Sequence, residues 1–331
     1  MKQKNISAVT AFAFAATLAL AACGGGGGGG DSASGTNNSS TGSAAPSAST
    51  GNVTTPEYTA TSAQLAVFNT INTRRQQCGF PALIENTVLD SAAQAHASYM
   101  GQNGGVITDT EVSSNPGFTG ATYSDRATKA GFPSSVFSTG ESAGYYTNAT
   151  LAESAYGEQI ASEWLSGVYH SAIASWPVTQ IGVGWTELTY NGFPQVLSAI
   201  NFANLQPMTG SLPLTYPCEG TTDVPYEVAG ETPTPPNVGT TWGPAITIGG
   251  NPTDQIRMTS GTITDTSGNV ISLQVLDSSS DTTHSIASYQ GVAYPAVALS
   301  QNTKYTATLN GTYNGVAFSR TFSYTTGTKV G

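Results

Sequence analysis

Residues 180–203 read QIGVGWTELTYNGFPQVLSAINFA. Two apolar runs, Gln180–Thr186 and Gln195–Ala203, flank Asn191-Gly192, a dipeptide that supplies the positive φ values of a tight hairpin turn. The stretch is therefore expected as an antiparallel strand pair. Upstream the apolar period changes from two to three or four. Leu65, Phe68, Ile71 and Asn72 recur at helical spacing, with Arg74 and Arg75 near the end. A second helix over Val88–Met100 places Leu89, Ala92, Ala93, His96 and Met100 on one face, and a third over Leu151–Leu165 keeps Ile160 and Trp164 in register. The order helix, helix, long loop, helix, hairpin predicts an α+β fold.

The texture changes after Glu231. TPTPPNVGTTWGP (232–244) holds four prolines, and little beyond it has helical period. Lys304–Leu309 alternates with Tyr305, Ala307 and Leu309 on one face. Asn314-Gly315 makes a turn, and Val316, Phe318, Phe322 and Tyr324 alternate on the return. A further strand pair is expected around Ser267-Gly268 within Thr262–Leu276. Short strands with Gly turns over about 100 residues predict an all-β sandwich. The closing hairpin resembles that of bacterial immunoglobulin-like domains.

The 331 residues allow one or two domains, and only 9% are charged, against roughly 25% in ordinary soluble domains. Ten basic residues face twenty acidic ones, which argues against a nucleic-acid partner, because phosphate binding needs clustered Lys and Arg. The charge is uneven: residues 57–231 carry fifteen acids and four bases, a net of −11, whereas 232–331 carry four of each. Any electrostatic preference belongs to the first segment and is for cations or basic partners.

The N-terminus has Lys2 and Lys4 before an apolar stretch, Ile6–Leu20, as in a secretory signal peptide. Leu20-Ala21-Ala22-Cys23 resembles the lipobox of bacterial lipoproteins, which implies cleavage before Cys23 and lipid on its sulfur. A Gly/Ser/Thr-rich tract follows and cannot bury enough apolar surface to order itself. Its seven glycines, Gly24–Gly30, have no preceding strand and no following Lys, so they are not a phosphate-binding loop. In the oxidising compartment this implies, Cys78 and Cys218 are expected to pair. The expected organisation is a signal peptide (1–22), a tether (23–56), a mixed domain (57–231) and a β-sandwich (232–331). The location is the cell envelope: a lipid anchor in the membrane, with the outer membrane favoured because Gly24 rather than Asp follows Cys23.

Three histidines limit the chemistry. His284 lies in a polar loop, His96 on a helix face, and His170 at a helix end, where the dipole alone favours a cation. Gly140-Glu141-Ser142-Ala143-Gly144 fits G-x-S-x-G, but a nucleophile elbow needs a strand before the Ser and a helix directly after it. Neither is evident in the flanking SSVFST and YYTNAT. Neither H-x-x-x-H nor C-x-x-C occurs.

Asn72-Thr-Arg74-Arg75, Ala95-His-Ala-Ser-Tyr-Met100, Asn115-PGFTG-Gly120, Asp125-Arg126, Ala130-Gly-Phe132, Gly140-Glu141, Trp164 to His170, Ile181-GVG-Gly184 and Tyr216-Pro-Cys218 together resemble the CAP superfamily (cysteine-rich secretory proteins, antigen 5, pathogenesis-related 1), also called SCP-like. The resemblance covers 65–218 and implies an α-β-α sandwich. It also implies a cavity lined by two His and two Glu that can hold a divalent cation such as Zn, Ca or Mg. Glu141 matches the first Glu and His170 the second His. Asp109 stands where the first His is usual, and Gly167 where animal members have the second Glu. Glu163, one helical turn before 167, is the residue placed to substitute. Two readings follow: Asp109, Glu141, Glu163 and His170 hold a hard cation, or Glu141 and His170 are a hydrogen-bonded structural pair.

The reading is a cell-envelope binding or interaction module for a lipid, glycan or protein ligand. It needs no cofactor and leans away from being an enzyme. The alternatives are a metal-assisted or serine hydrolase, with His170 as base oriented by Glu141, and a structural spacer or adhesin.

Overall fold

Ser62 opens α1 (Ala63–Gln77) by accepting the Leu65 N–H at 3.1 Å, and Asn86 opens α2 (Thr87–Gln102) by accepting from Val88 and Leu89, also at 3.1 Å. Each covers N–H groups that a helix start leaves bare. The computed structural model describes residues 47–331. The expected signal peptide, Cys23 and the tether as far as residue 46 lie outside the described residues. Three more helices follow: α3 (Tyr123–Ala130), α4 (Glu153–Ser166) and α5 (Val168–Ala174). The expected helices correspond to α1, α2 and α4. Helix α3 falls inside the expected long loop. Eight residues are too few for periodicity to reveal it, and it is held by a Thr122/Asp125 capping box and by Gly131 at φ 106°.

The first sheet holds β1 (Ile84–Glu85), β2 (Ser138–Tyr146), β3 (Val178–Tyr190) and β4 (Phe193–Leu205), ordered β1-β3-β4-β2. Strands β3 and β4 are the expected hairpin, with Asn191 and Gly192 at φ 49° and 82°. Strand β2 corrects the expectation that no strand surrounds Gly140–Gly144. It pairs antiparallel with β4, setting Glu141 opposite Ile200. Its small and polar residues carry little strand signal of their own, and the β4 ladder supplies the order.

Helices sandwich this sheet. On one face α1 and α4 pack Val67, Ile71, Ile160 and Trp164 against Val183, Val196, Ile200 and Phe202. On the other, α2 and α3 bring Ala97, Met100, Leu89 and Ala127 against Leu197, Ala199 and Ala203. Successive β4 residues thus face opposite layers, as a strand's two-residue period requires. Gly182 and Gly184 let α2 lie directly on β3: a Cβ at either would stand within 2.2 Å of the Leu89 or Ala93 backbone.

The remaining strands form two sheets around a second core. One is ordered β10 (Gln274–Asp277), β11 (Gln290–Tyr294), β7 (Ile246–Gly249), β5 (Leu214–Tyr216). The other is ordered β6 (Thr221–Val224), β13 (Val316–Thr326), β12 (Lys304–Tyr313), β8 (Ile256–Asp265), β9 (Val270–Ser272). Ile246, Ile248 and Ala293 of one meet Tyr305, Ala307, Leu309, Phe322 and Tyr324 of the other. Val316 was expected among the inward residues and is instead 71% exposed, because the hairpin tip extends past the core.

Pairing crosses residue 231: β5 joins β7, and β6 joins β13 in parallel. The Cys78–Cys218 disulfide forms as expected, with Cα atoms 5.5 Å apart, and ties the end of α1 to the chain between β5 and β6. Helix α5 packs Val168, Tyr169 and Ala172 against Trp242, Leu276, Val292 and Tyr294. The mixed and all-β parts therefore belong to one compact unit.

Residues 47–56, expected within the tether, are also held. Asn86 Nδ2 donates to the Thr50 carbonyl and to Asn52 Oδ1, each at 2.8 Å, the Val53 N–H donates to the Glu85 carbonyl, and Gln180 Nε2 donates to the Ala48 carbonyl. Partners contributed from Asn86, Glu85 and Gln180 order a segment whose own side chains could not.

Candidate functional site

Asp109 sits in the loop after α2, and that loop is built on buried charge. His96, fully buried on α2, has Nε2 2.7 Å from the Thr108 carbonyl and Nδ1 2.9 Å from Glu111 Oε1. The carbonyl can only accept, so Nε2 carries a proton. The Nδ1–Glu111 contact needs a second proton, shared between the two. Burial, with the charge of Arg126, pushes the His96 pKa below its usual value. Glu111 also accepts the Thr119 and Gly120 N–H groups. Arg126 donates to the Gly120 and Asp109 carbonyls and lies 4.2 Å from the Tyr123 ring centre. His96 is thus a support for the loop rather than a site residue.

The loop presents Asp109 to β2. Its Oδ1 accepts the Tyr123 hydroxyl at 2.8 Å and the Ser142 N–H at 3.0 Å. Burial, then Asp109, hold the Tyr123 pKa well above its usual value, so the phenol stays protonated. Its single proton goes to Asp109, so the Ser142 hydroxyl, 2.6 Å from the phenol oxygen, donates to it.

His170 comes from α5. Its Nδ1 is 2.8 Å from Glu231 Oε1. Glu231 also accepts the Val168, Tyr169 and His170 N–H groups at 2.7, 2.8 and 2.9 Å. Burial alone would lower the His170 pKa, but the bond to Glu231 and the charges of Glu231, Glu141 and Asp109 outweigh it and hold the pKa at about 10. A Cβ with an added side chain at Gly167 would meet Glu231 Oε1 at 2.8 Å and His170 Nδ1 at 3.0 Å. Glu231 therefore occupies the space into which a side chain at 167 would grow. Sequence reasoning missed it: it lies 61 residues from His170, at the end of the mixed segment, with no motif around it.

These elements enclose a cavity of about 500 Å³. One wall is Ile107, Asp109 and Ser142–Gly144, another Glu163, Trp164, Gly167 and His170, and Gly230–Thr232 with Gly331 close it. Glu163 accepts from Gln159 Nε2 at 3.3 Å, and burial raises its pKa to about 7. Glu141 is 1% exposed, neither of its oxygens has a hydrogen-bond partner, and burial pushes its pKa well up against the opposing charge of His170.

Residues 68–202 match the model of the cysteine-rich secretory protein family, CAP. No curated protein matches the chain. The CAP segment ends before Glu231, so one cavity wall comes from chain beyond the family match.

The expected site residues Asp109, Glu163 and His170 line this cavity, whereas Glu141 is buried beside it, next to the lining residue Ser142. As placed, they do not make a metal cage. Among the described residues no group of three His, Cys, Asp or Glu is arranged to hold an ion. One Asp109 oxygen is already taken by two donors, and burial pushes the Glu141 carboxyl pKa well above its usual value. The expected pairing of Glu141 with His170 is corrected: Glu231 orients the imidazole, because Glu141 has no hydrogen-bond partner.

Proposed function

We propose that the chain is a cell-envelope binding module, tethered through a lipid on Cys23, whose CAP cavity holds a ligand without transforming it. One observation carries this reading: the Ser and His singled out in the sequence do not meet as nucleophile and base, since no hydrogen bond joins Ser142 to His170. Ser142 Oγ bonds to Tyr123, and His170 is held as a cation by Glu231. A general base must be able to take a proton near the operating pH, and the carboxylates around His170 push its pKa up and away from that range. The Ser142 segment is a paired strand rather than a strand-to-helix elbow. The lipobox-like Leu20–Cys23 supports the anchor, and the paired sheets at the C-terminal end support an immunoglobulin-like sandwich as the module's second half.

The test is a thermal-shift panel of small ligands of varied charge on the purified chain, run beside chromogenic ester and peptide hydrolysis. A ligand that raises the melting temperature with no turnover is expected. Turnover that disappears in Ser142→Ala or His170→Ala overturns the reading. Cys23→Ser should move the protein from the membrane to the soluble fraction.

A further inference from the structure

We propose that the cleft between residues 47–52 and the start of β3 is a second binding site, separate from the CAP cavity, and that it takes an uncharged saccharide.

The cleft measures about 570 Å³ and shares no lining residue with the CAP cavity. Four side-chain amides line it, those of Asn52, Gln180, Asn204 and Gln206, together with the Thr179 hydroxyl. No charged side chain is among its lining residues, although residues 57–231 carry fifteen acids and four bases. An ion entering it would give up hydration and meet no counter-charge. The lining therefore selects a neutral, polar ligand.

The amides keep unused bonding capacity. Asn204 stands at φ 63° and donates from Nδ2 to Thr179 Oγ1 at 2.8 Å. That bond fixes the amide, and its Oδ1 accepts from no described residue. Asn52 Oδ1 is taken by Asn86 at 2.8 Å, and its Nδ2 has no acceptor among the described residues. Gln206 is exposed, and neither end of its amide bonds to a described residue. Gln180, 2% exposed, donates from Nε2 to the Ala48 carbonyl, and its Oε1 has no partner among the described residues.

Donors and acceptors are thus offered side by side. A sugar hydroxyl donates one hydrogen bond and accepts others, as a serine hydroxyl does, so a polyol can satisfy both kinds of group. Ile84, 43% exposed, also lines the cleft and offers a surface for the C–H face of a sugar ring. A peptide finds no open ladder here. The bridge between Asn52 and Asn86, and the Val53 N–H donated to the Glu85 carbonyl, already occupy the free edge of β1, where an added strand would pair.

Titration of the purified full chain with N,N′-diacetylchitobiose, maltotriose, glucuronate and tetraglycine, read by calorimetry and by amide NMR shifts, tests this. A neutral saccharide should bind and shift resonances of residues 47–52, 179–180 and 204–206. Glucuronate and tetraglycine should bind at least tenfold more weakly. Gln206→Ala and Asn204→Gly should each weaken saccharide binding about fivefold, the worth of a neutral hydrogen bond. Glycine accepts the positive φ at 204, and Gln206 is exposed, so the second variant stands if the first misfolds. The proposal is overturned if neither saccharide binds, if glucuronate or tetraglycine binds as well, if the shifts fall on residues of the CAP cavity, or if both folded variants keep wild-type affinity. Each of these results leaves the reading of the CAP cavity to its own test.

Discussion

Glu231→Gln isolates the contact that holds the His170 ring at the cavity. The carboxylate accepts three α5 N–H groups at 2.7–2.9 Å and pairs with His170 Nδ1 at 2.8 Å. The amide keeps one acceptor oxygen but presents an NH₂ group, without charge, where the other oxygen was. Breaking a buried pair from one side costs about 3–5 kcal/mol. The His170 side chain is 21% exposed, so water recovers part of this and about 3 kcal/mol is expected at pH 7. For a unit of this size that lowers the melting temperature by roughly 5 °C. The pH dependence is diagnostic. The folded His170 pKa of about 10 exceeds the ordinary 6.5, so the pair's contribution is complete below about pH 6.5 and fades as pH rises through 10. Urea melts of the wild type and the variant at pH 6, 8 and 10.5 check both points, alongside NMR titration of His170, whose pKa should fall in the variant. A loss under about 0.5 kcal/mol at pH 7, or a gap that persists unchanged at pH 10.5, refutes the reasoning.

Gly184→Ala should destabilise by about 3 kcal/mol or more, because its Cβ would stand 2.1 Å from the Ala93 carbonyl oxygen; a denaturant midpoint within error of the wild type would contradict the close seating of α2 on β3. Stability should also fall as pH rises from 5 to 8. Burial raises Asp90 and Glu163 to about 7, so the folded state holds protons that the unfolded chain has released by pH 5, and their stabilisation is lost as pH passes 7. His96, shifted down, offsets part of this near pH 6, and a urea midpoint that rises across the range would be the contrary result.

Most elements were legible in the sequence where their signals are local. The β3–β4 hairpin follows from alternation around Asn191-Gly192, and the main helices from spacing. The β12–β13 hairpin follows from Asn314-Gly315. Strand β2 and helix α3 were not legible, because one is ordered by its ladder to β4 and the other by capping over eight residues. Asp109, Glu141, Glu163 and His170 were brought together by family resemblance, but their contacts were not foreseeable. The pairing of His170 with Glu231 joins residues with no sequence relation.

The sequence by itself determined the α+β class, the Cys78–Cys218 pair, the charge imbalance between the two segments and the glycines of Ile181–Gly184, because each depends on neighbouring residues, periodicity or counts. Only the tertiary structure decided that residues 47–56 are strapped down, that β5 and β6 pair across residue 231, and that Glu231 rather than Glu141 holds His170. These depend on which distant backbone and carboxyl groups meet when α5 docks on the β7–β11 sheet, and no local pattern encodes that meeting.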